Sequence, residues 1–199
     1  TIKDNAGIIS AVQSTLNSTT VSGSIDKFGG AARFSRIITA IDAADTAITR
    51  NLTSIKMRKE IQAVIDTPAS YEICFEQALQ FSAGVASVGS SGFTLLGDTT
   101  TYYFEDNGLG SIQTYYFDSA GTKIIADFEF GTIDYVKGEI KIGYITPITF
   151  TSTVLLGNEI HIRSLPLGQD VVAKKSVYLD LDVDNSKISA VVDTNVLSS

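Results

Sequence analysis

The sequence predicts an α+β fold, with a small mixed α/β part followed by a mainly antiparallel β domain. Apolar residues recur at helical spacing only in the first quarter of the chain, whereas short alternating segments with turn residues between them recur from about residue 100 onward. No long helical pattern interrupts these segments, so a parallel βαβ architecture is not expected. With 199 residues, 44% of them apolar, the chain can bury a core and form one or two domains.

Two helices are predicted in the N-terminal part. Apolar residues at spacings of three and four predict a short amphipathic helix over residues 4–16. A stronger series of the same period predicts a second helix over residues 35–48, with Ser35 placed to cap its N-terminus. Alternating residues beyond it predict two strands that meet at Pro68. The strands predicted in this part cover residues 20–25, 55–65 and 71–75.

The run from Ser82 to Gly92 is small, uncharged and rich in Gly and Ser, which is typical of a linker or an exposed loop. We therefore predict a boundary there. It divides the chain into a mixed α/β part at residues 1–85, with two helices on a small sheet, and a mainly β domain at residues 92–199.

Hairpins give the clearest strand signals in the second part. A strand ending at Phe117 is followed by the polar loop Asp118–Gly121, whose Gly suits the positive φ of a hairpin turn. A second hairpin is predicted around Lys137–Gly138, since Glu139 and Lys141 then alternate with isoleucines. The strands predicted here cover residues 100–105, 112–117, 123–130, 139–142, 159–163, 176–182 and 187–192.

Charge and composition limit the classes of partner. The net charge of −7 argues against a general nucleic-acid binder, whose affinity would depend on clustered Lys and Arg. Residues 1–66 carry a balance of +2 and residues 67–199 one of −9. This asymmetry fits two ordinary solvated surfaces, or two halves that each meet a different, complementary neighbour. No signal peptide and no apolar run of about 18 residues is found, so no membrane partner is expected.

The sequence contains no recognisable catalytic or metal-ligating constellation, so we expect no enzyme activity, no metal and no cofactor. His161 is the sole histidine, and its strand pattern places it on a solvent-facing side with Glu159 and Arg163. Cys74 is the sole cysteine, which excludes an internal disulfide and favours a reducing compartment. One His and one Cys are too few for the usual zinc site.

Other short motifs lack features that their chemistry requires. The acidic run from Asp180 to Asp184 begins like a calcium loop, but Asn185 replaces the required Gly and Val191 the bidentate Glu. The Gly29–Gly30 pair lacks the Lys and Ser/Thr of a phosphate loop. Paired carboxylates occur in turns or on strand faces, without the unequal environments that a glycosidase requires.

Three segments resemble those of a known family in their order and spacing. The first runs from Lys27 to Asp42 and continues through Ala47–Asn51, the second is Gly131–Ile140, and the third is Leu165–Val172. Together they resemble the central region of the baseplate wedge proteins of T4-like contractile-tailed bacteriophages, the larger relatives of the baseplate J family. The resemblance spans most of the chain, and none of its segments is a catalytic signature.

The resemblance implies a structural virion protein, assembled in the host cytoplasm and located in the tail baseplate. Family members form a ring of copies around the tail hub, tie wedges together and help to pass the infection signal to the sheath. The implied partners are copies of the chain, as a homodimer or in a ring, and other baseplate wedge proteins. Family members are longer than 199 residues and this chain begins at Thr1, so we expect a C-terminal fragment.

Self-association is expected to use the second helix and its flanking region, which is apolar on one side and carries the positive excess. The alternative is that this helix covers the sheet predicted over residues 55–75. The residues predicted to form the interface are Phe28, Arg33, Phe34, Arg36, Ile37 and Ile41.

Two other functional classes stay open at this point. A carbohydrate-binding β module would use exposed aromatic residues as sugar platforms, and a hydrolase is disfavoured by the single His and Cys. The aromatic residues available for sugar binding are Tyr102, Tyr103, Tyr115 and Tyr116.

Overall fold

The computed structural model describes residues 4–18, 25–174 and 178–191, and it shows a mixed α+β protein in which β structure dominates. The chain divides into two compact units. Unit 1 comprises Thr1–Ser54 and Gln169–Ser199, and unit 2 comprises Ile55–Gly168. Unit 2 is therefore inserted into the sequence of unit 1.

The described residues form two α-helices, a single 3-10 turn at Leu156–Asn158 and twelve strands. Neither α-helix has the length and apolar character needed to span a bilayer. The helices are α1 (Asn5–Leu16) and α2 (Phe34–Asp42). The strands are β1 (Ala31–Ala32), β2 (Met57–Gln62), β3 (Tyr71–Cys74), β4 (Val88–Ser90), β5 (Phe93–Leu95), β6 (Tyr103–Asp106), β7 (Ser111–Phe117), β8 (Lys123–Asp134), β9 (Glu139–Ile142), β10 (Phe150–Thr153), β11 (Glu159–Ser164) and β12 (Val171–Val172).

Unit 1 contains both helices and a short antiparallel ladder between β1 and β12. The first predicted helix is confirmed: Asp4 caps it by accepting a hydrogen bond from the Gly7 N–H at 2.8 Å. Helix α1 packs on α2, and Val12, Leu16 and Ile37 are buried. The strand predicted at residues 20–25 lies, apart from its last residue, outside the described residues.

The predicted cap and end of α2 are wrong. Asp170, not Ser35, binds the start of the helix: Oδ1 accepts from the Phe34 N–H at 2.9 Å and Oδ2 pairs with Arg33 at 2.7 Å. The helix ends at Asp42, not at residue 48, because the Asp45 carboxylate accepts from the Ala47 N–H and so stabilises a turn.

Unit 2 contains an eight-stranded antiparallel sheet in the order β2-β11-β4-β6-β7-β8-β9-β3. A separate ladder joins β5 to β10. Strands β2 and β3 are consecutive in sequence but lie at opposite ends of this order. The Val64 N–H, just beyond β2, nevertheless donates to the Tyr71 hydroxyl of β3 at 2.9 Å, so the sheet is strongly curved.

One hydrophobic cluster forms the core of unit 2. Its centre is aromatic: the Phe93 ring lies 5.0 Å from Phe150, 5.9 Å from Phe130 and 6.3 Å from Phe104, measured between centroids. The predicted alternation is confirmed in β9 and β11, whose isoleucines are fully buried on one face. These residues are Ile140, Ile142, Ile160 and Ile162.

Both predicted hairpins are confirmed. In the first, the Asp118 carboxylate accepts from the N–H groups of Ala120 and Thr122, and Gly121 has φ of 78°. In the second, Gly138 has φ of 72° and its N–H donates to the Asp134 carbonyl at 2.8 Å. The local turn chemistry therefore fixes the pairing of β7 with β8 and of β8 with β9.

The division into residues 1–85 and 92–199 does not coincide with the two units. Strand β4 lies inside the segment expected to be a linker and pairs with both β11 and β6. A small side chain stabilises the pairing of β4 with β6, because Ser90 Oγ accepts a hydrogen bond from the Phe104 N–H at 2.8 Å.

The strands predicted at 176–182 and 187–192 are wrong where those residues are described. Only an isolated bridge from Tyr178 to Phe28 occurs there. The Asp182 side chain accepts hydrogen bonds from Asn185 and stabilises a turn instead of a strand.

Candidate functional sites

The β7–β8 hairpin extends beyond the core and exposes large apolar side chains. We call residues 115–129 the outer hairpin. Phe117 is 53% exposed and Phe128 is 66% exposed, and Ile124 is also exposed. The inner part of the same two strands carries the buried Ile112 and Phe130. Exposed aromatic residues on a paired, bulged hairpin are typical of a surface for protein contact.

Aromatic rings cover one face of the outer hairpin and its neighbour β6. The rings of Tyr103 and Tyr115 stack with centroids 5.4 Å apart, and Phe117 meets both edge-to-face. Lys123 Nζ lies 4.3 Å from the Tyr115 ring and also pairs with Glu105. Burial, with the Glu105 charge, raises the pKa of Tyr115. Stacking therefore occupies one face of each of these two tyrosines, and Lys123 lies over the Tyr115 ring.

The other two tyrosines considered for sugar binding also contact each other. The rings of Tyr102 and Tyr116 meet edge-to-face at 5.9 Å. The Tyr102 hydroxyl donates to Asp98 at 2.6 Å, and the Thr100 N–H donates to the same carboxylate at 2.8 Å. These hydrogen bonds lower the pKa of Asp98 to about 2. The arrangement fixes the 98–102 turn.

A polar cluster lies on β2 and β11, on the face opposite the buried isoleucines. His161 Nε2 is 3.2 Å from Glu60 Oε1 and 3.5 Å from Glu159 Oε2. The antiparallel register places His161 directly opposite Glu60 and Glu159 directly opposite Gln62. The His161 side chain is only 15% exposed, which is less than its sequence pattern suggested.

A second cluster lies on β3 and β9 and contains Cys74, Glu72 and Glu139. Lys141 Nζ occupies it, at 3.4 Å from Glu72 and 3.9 Å from Glu139. The Tyr144 hydroxyl also donates to Glu72 at 3.1 Å. The hydrogen bond to Glu72 raises the pKa of Lys141. A lysine ammonium therefore already pairs with both carboxylates and offsets one of their two negative charges.

These two clusters are the groups of three or more His, Cys, Asp and Glu side chains that converge in the described residues. The acidic run at 180–184 is in neither. The sequence pattern could have paired Glu159 with His161, two residues apart, but Glu60 is added only by the register of β2 on β11.

Asp106 is a buried carboxylate with a structural role that the sequence did not indicate. It is 1% exposed. Its oxygens accept from the N–H groups of Ser87 and Val88 and from the Tyr135 hydroxyl, each at 2.7 Å. Burial, with the hydrogen bond to Asp106, raises the pKa of Tyr135. Asp106 thus ties the start of β4 to the end of β8.

The residues predicted to form an interface lie in unit 1 and differ in exposure. Arg33 and Arg36 are exposed, but Arg33 is paired with Asp170. Phe28 is 73% exposed, and its ring meets Tyr178 edge-to-face at 5.8 Å. Ile37 is buried, and the remaining two, Phe34 and Ile41, are half-buried. Much of the apolar side of α2 is therefore used inside the fold.

Comparison with known proteins does not identify the chain. No protein-family model matches it, and no curated protein matches it at a significant level.

Proposed function

We propose that the protein is a structural component of a phage tail baseplate, linking wedges into a ring around the hub through protein–protein contacts. The baseplate assignment depends on the sequence resemblance in the segments 27–51, 131–140 and 165–172. Its site of action is the virion, its partners are other wedge proteins and further copies of the chain, and it is not an enzyme.

The exposed outer hairpin is the observation that carries the contact function. Phe117, Ile124 and Phe128 expose apolar surface at the end of a hairpin whose base is anchored in the core. A rigid base limits the conformational entropy lost on binding, and aromatic residues contribute most to the centres of protein interfaces. We propose that a second copy of the chain binds here, since closed symmetric contacts are the commonest way to build an oligomer.

Carbohydrate binding is less well supported. A sugar platform needs an open ring face, and stacking covers one face of Tyr103 and one of Tyr115. Tyr102 and Tyr116 meet edge-to-face, which covers less of their ring surface. The cation of Lys123 further covers Tyr115.

Light scattering at about 100 μM protein tests self-association, because a chain that stays monomeric there binds its own copies more weakly than about −5.5 kcal/mol. We expect dimers or larger rings from the wild-type chain. Changing Phe117→Ser and Phe128→Ser together should shift the chain to monomer. The matched control is Ile145→Ser, which alters a side chain that is 89% exposed elsewhere in unit 2.

The surface predicted from sequence is tested in parallel by Arg36→Glu. Arg33 is unsuitable because its pairing with Asp170 supports the start of α2. If Arg36→Glu loses association and the Phe117→Ser, Phe128→Ser variant does not, the contact lies in unit 1. A monomeric wild-type chain that also fails to copurify with tail proteins would exclude the baseplate proposal.

A further inference from the structure

We propose that Glu60, Glu159 and His161 bind a zinc ion that joins the end strand β2 to β11. Side chains two residues apart on a strand share a face, so Glu159 and His161 point to the same side of the sheet. Glu60 lies directly opposite His161 on β2. Three donor groups therefore converge from two backbone segments that are already paired.

Two of the three distances between the donor atoms fit tetrahedral zinc. Zinc bonds of about 2.0–2.2 Å at tetrahedral angles place two ligand atoms about 3.3–3.6 Å apart. His161 Nε2 is 3.2 Å from Glu60 Oε1 and 3.5 Å from Glu159 Oε2. The three donor atoms all lie within 4.8 Å of one another. An ion can be accommodated with adjustment of side chains alone.

The type and charge of the donors favour zinc over magnesium and calcium. Two carboxylates balance the double positive charge, and an imidazole nitrogen suits zinc better than magnesium or calcium, which prefer oxygen ligands only. Three protein ligands leave a fourth position for water.

Neighbouring side chains orient both carboxylates. Gln62 Nε2 donates to Glu159 Oε1 at 3.2 Å, which turns the other oxygen, Oε2, toward His161. Arg58 Nη2 lies 3.0 Å from Glu60 Oε1. A carboxylate oxygen has two lone pairs, so this oxygen can accept from Arg58 and still bind a metal. Such outer contacts are typical of metal sites.

The backbone of His161 is held on both edges of β11. Its N–H donates to Ser91 Oγ at 3.0 Å, and its carbonyl accepts from the Ser91 N–H at 2.9 Å. On the other edge β11 pairs with β2. This rigidity lowers the conformational entropy lost when the ligand side chains are fixed. An ion that binds only the folded chain also stabilises the folded state by mass action.

The second cluster provides a matched control. It also offers two carboxylates, with Cys74 in place of His161, but Lys141 already pairs with both Glu72 and Glu139. Zinc would have to displace this ammonium group. We therefore expect no zinc binding at Cys74.

Titration calorimetry of the full chain with zinc chloride, after treatment with a chelator, tests the proposal. We expect one zinc per chain and a higher melting temperature. His161→Gln and Glu159→Gln should each weaken binding at least tenfold, whereas Cys74→Ser and Glu72→Gln should leave it unchanged. Circular dichroism in the presence of chelator verifies that each variant folds. If His161→Gln does not fold, Glu159→Gln still tests the site.

Cobalt substitution gives a readout of the ligand set. Four-coordinate cobalt should show strong visible bands, and thiolate charge-transfer bands should be absent. The proposal fails if the wild-type chain shows no saturable binding, if both His161→Gln and Glu159→Gln retain full affinity, or if binding is lost in Cys74→Ser.

Discussion

The inner and outer parts of the β7–β8 hairpin belong to the same two strands but differ in what their side chains contact. In the inner part Ile112 and Phe130 pack in the core, and in the outer part Phe117 and Phe128 are exposed. Irregular register at Thr114 separates the two parts. We therefore expect the core and the buried Asp106 to carry most of the stability of unit 2, and the exposed end of the hairpin to contribute little of it.

The largest loss of stability is expected where the core meets the inner hairpin. Phe104 is fully buried, with its ring 6.3 Å from Phe130. Phe104→Ala should lower the free energy of unfolding by about 3–5 kcal/mol, because it removes apolar contacts and leaves a cavity. Denaturant unfolding measures the change, and Phe104→Leu should cost clearly less. Equal losses in the two variants would argue against a closely packed site.

Removal of the buried carboxylate is expected to have the next largest effect. Asp106→Ala leaves the N–H groups of Ser87 and Val88 and the Tyr135 hydroxyl without their acceptor. We expect a loss of about 3 kcal/mol, since each unsatisfied buried group costs about 1–3 kcal/mol. Asp106→Asn keeps one carbonyl oxygen and should cost less. A change below about 1 kcal/mol in Asp106→Ala would show that water replaces the carboxylate.

Tyr135→Phe should cost about 1.5–3 kcal/mol at neutral pH, since it removes one hydrogen bond to a charged group. The raised pKa of Tyr135 in the folded chain also makes stability depend on pH. The stabilisation by Tyr135 is fully present below pH about 10, which is the pKa of a tyrosine in the unfolded chain. It is lost as the pH rises further, because the unfolded tyrosine ionises before the folded one. Unfolding followed from pH about 8 to 11 should therefore show a shallower decline in Tyr135→Phe, and parallel declines would contradict this account.

The smallest effect on stability is expected in the outer hairpin. Phe128→Ser should change the free energy of unfolding by no more than about 0.5 kcal/mol, because the side chain is 66% exposed. The same chemical denaturation measures it. A loss as large as that in Phe104→Ala would mean that the outer hairpin is part of the cooperative core and that the two parts do not differ in their contribution to stability.

Features encoded by neighbouring residues could be predicted from the sequence. The turn at Asp118–Gly121 could be predicted because the Asp118 side chain binds the backbone of its own loop. The turn at Gly138 could be predicted because glycine readily adopts the positive φ that the turn requires. The buried faces of β9 and β11 follow from a period of two.

Features that depend on distant residues could not be predicted. The cap of α2 comes from Asp170, which is 136 residues away from Phe34, so Ser35 was the only visible candidate. The small residues at 82–92 indicate a linker, although those at 88–90 form a strand between two neighbours. The Glu60–His161 pairing similarly requires the register of a nonlocal ladder.

The insertion of unit 2 into unit 1 has a consequence for the order of events during synthesis. Arg33 must wait for Asp170, 137 residues later, before the start of α2 can be completed. At about 5–20 residues per second, the ribosome needs roughly 7–27 s to make that interval. Unit 2 is contiguous and can fold as it emerges. During this time the N-terminal end of α2 lacks the carboxylate of Asp170, although α1 is already available to pack against the helix. Nascent chains are therefore expected to have an incompletely capped α2 until residue 170 is released.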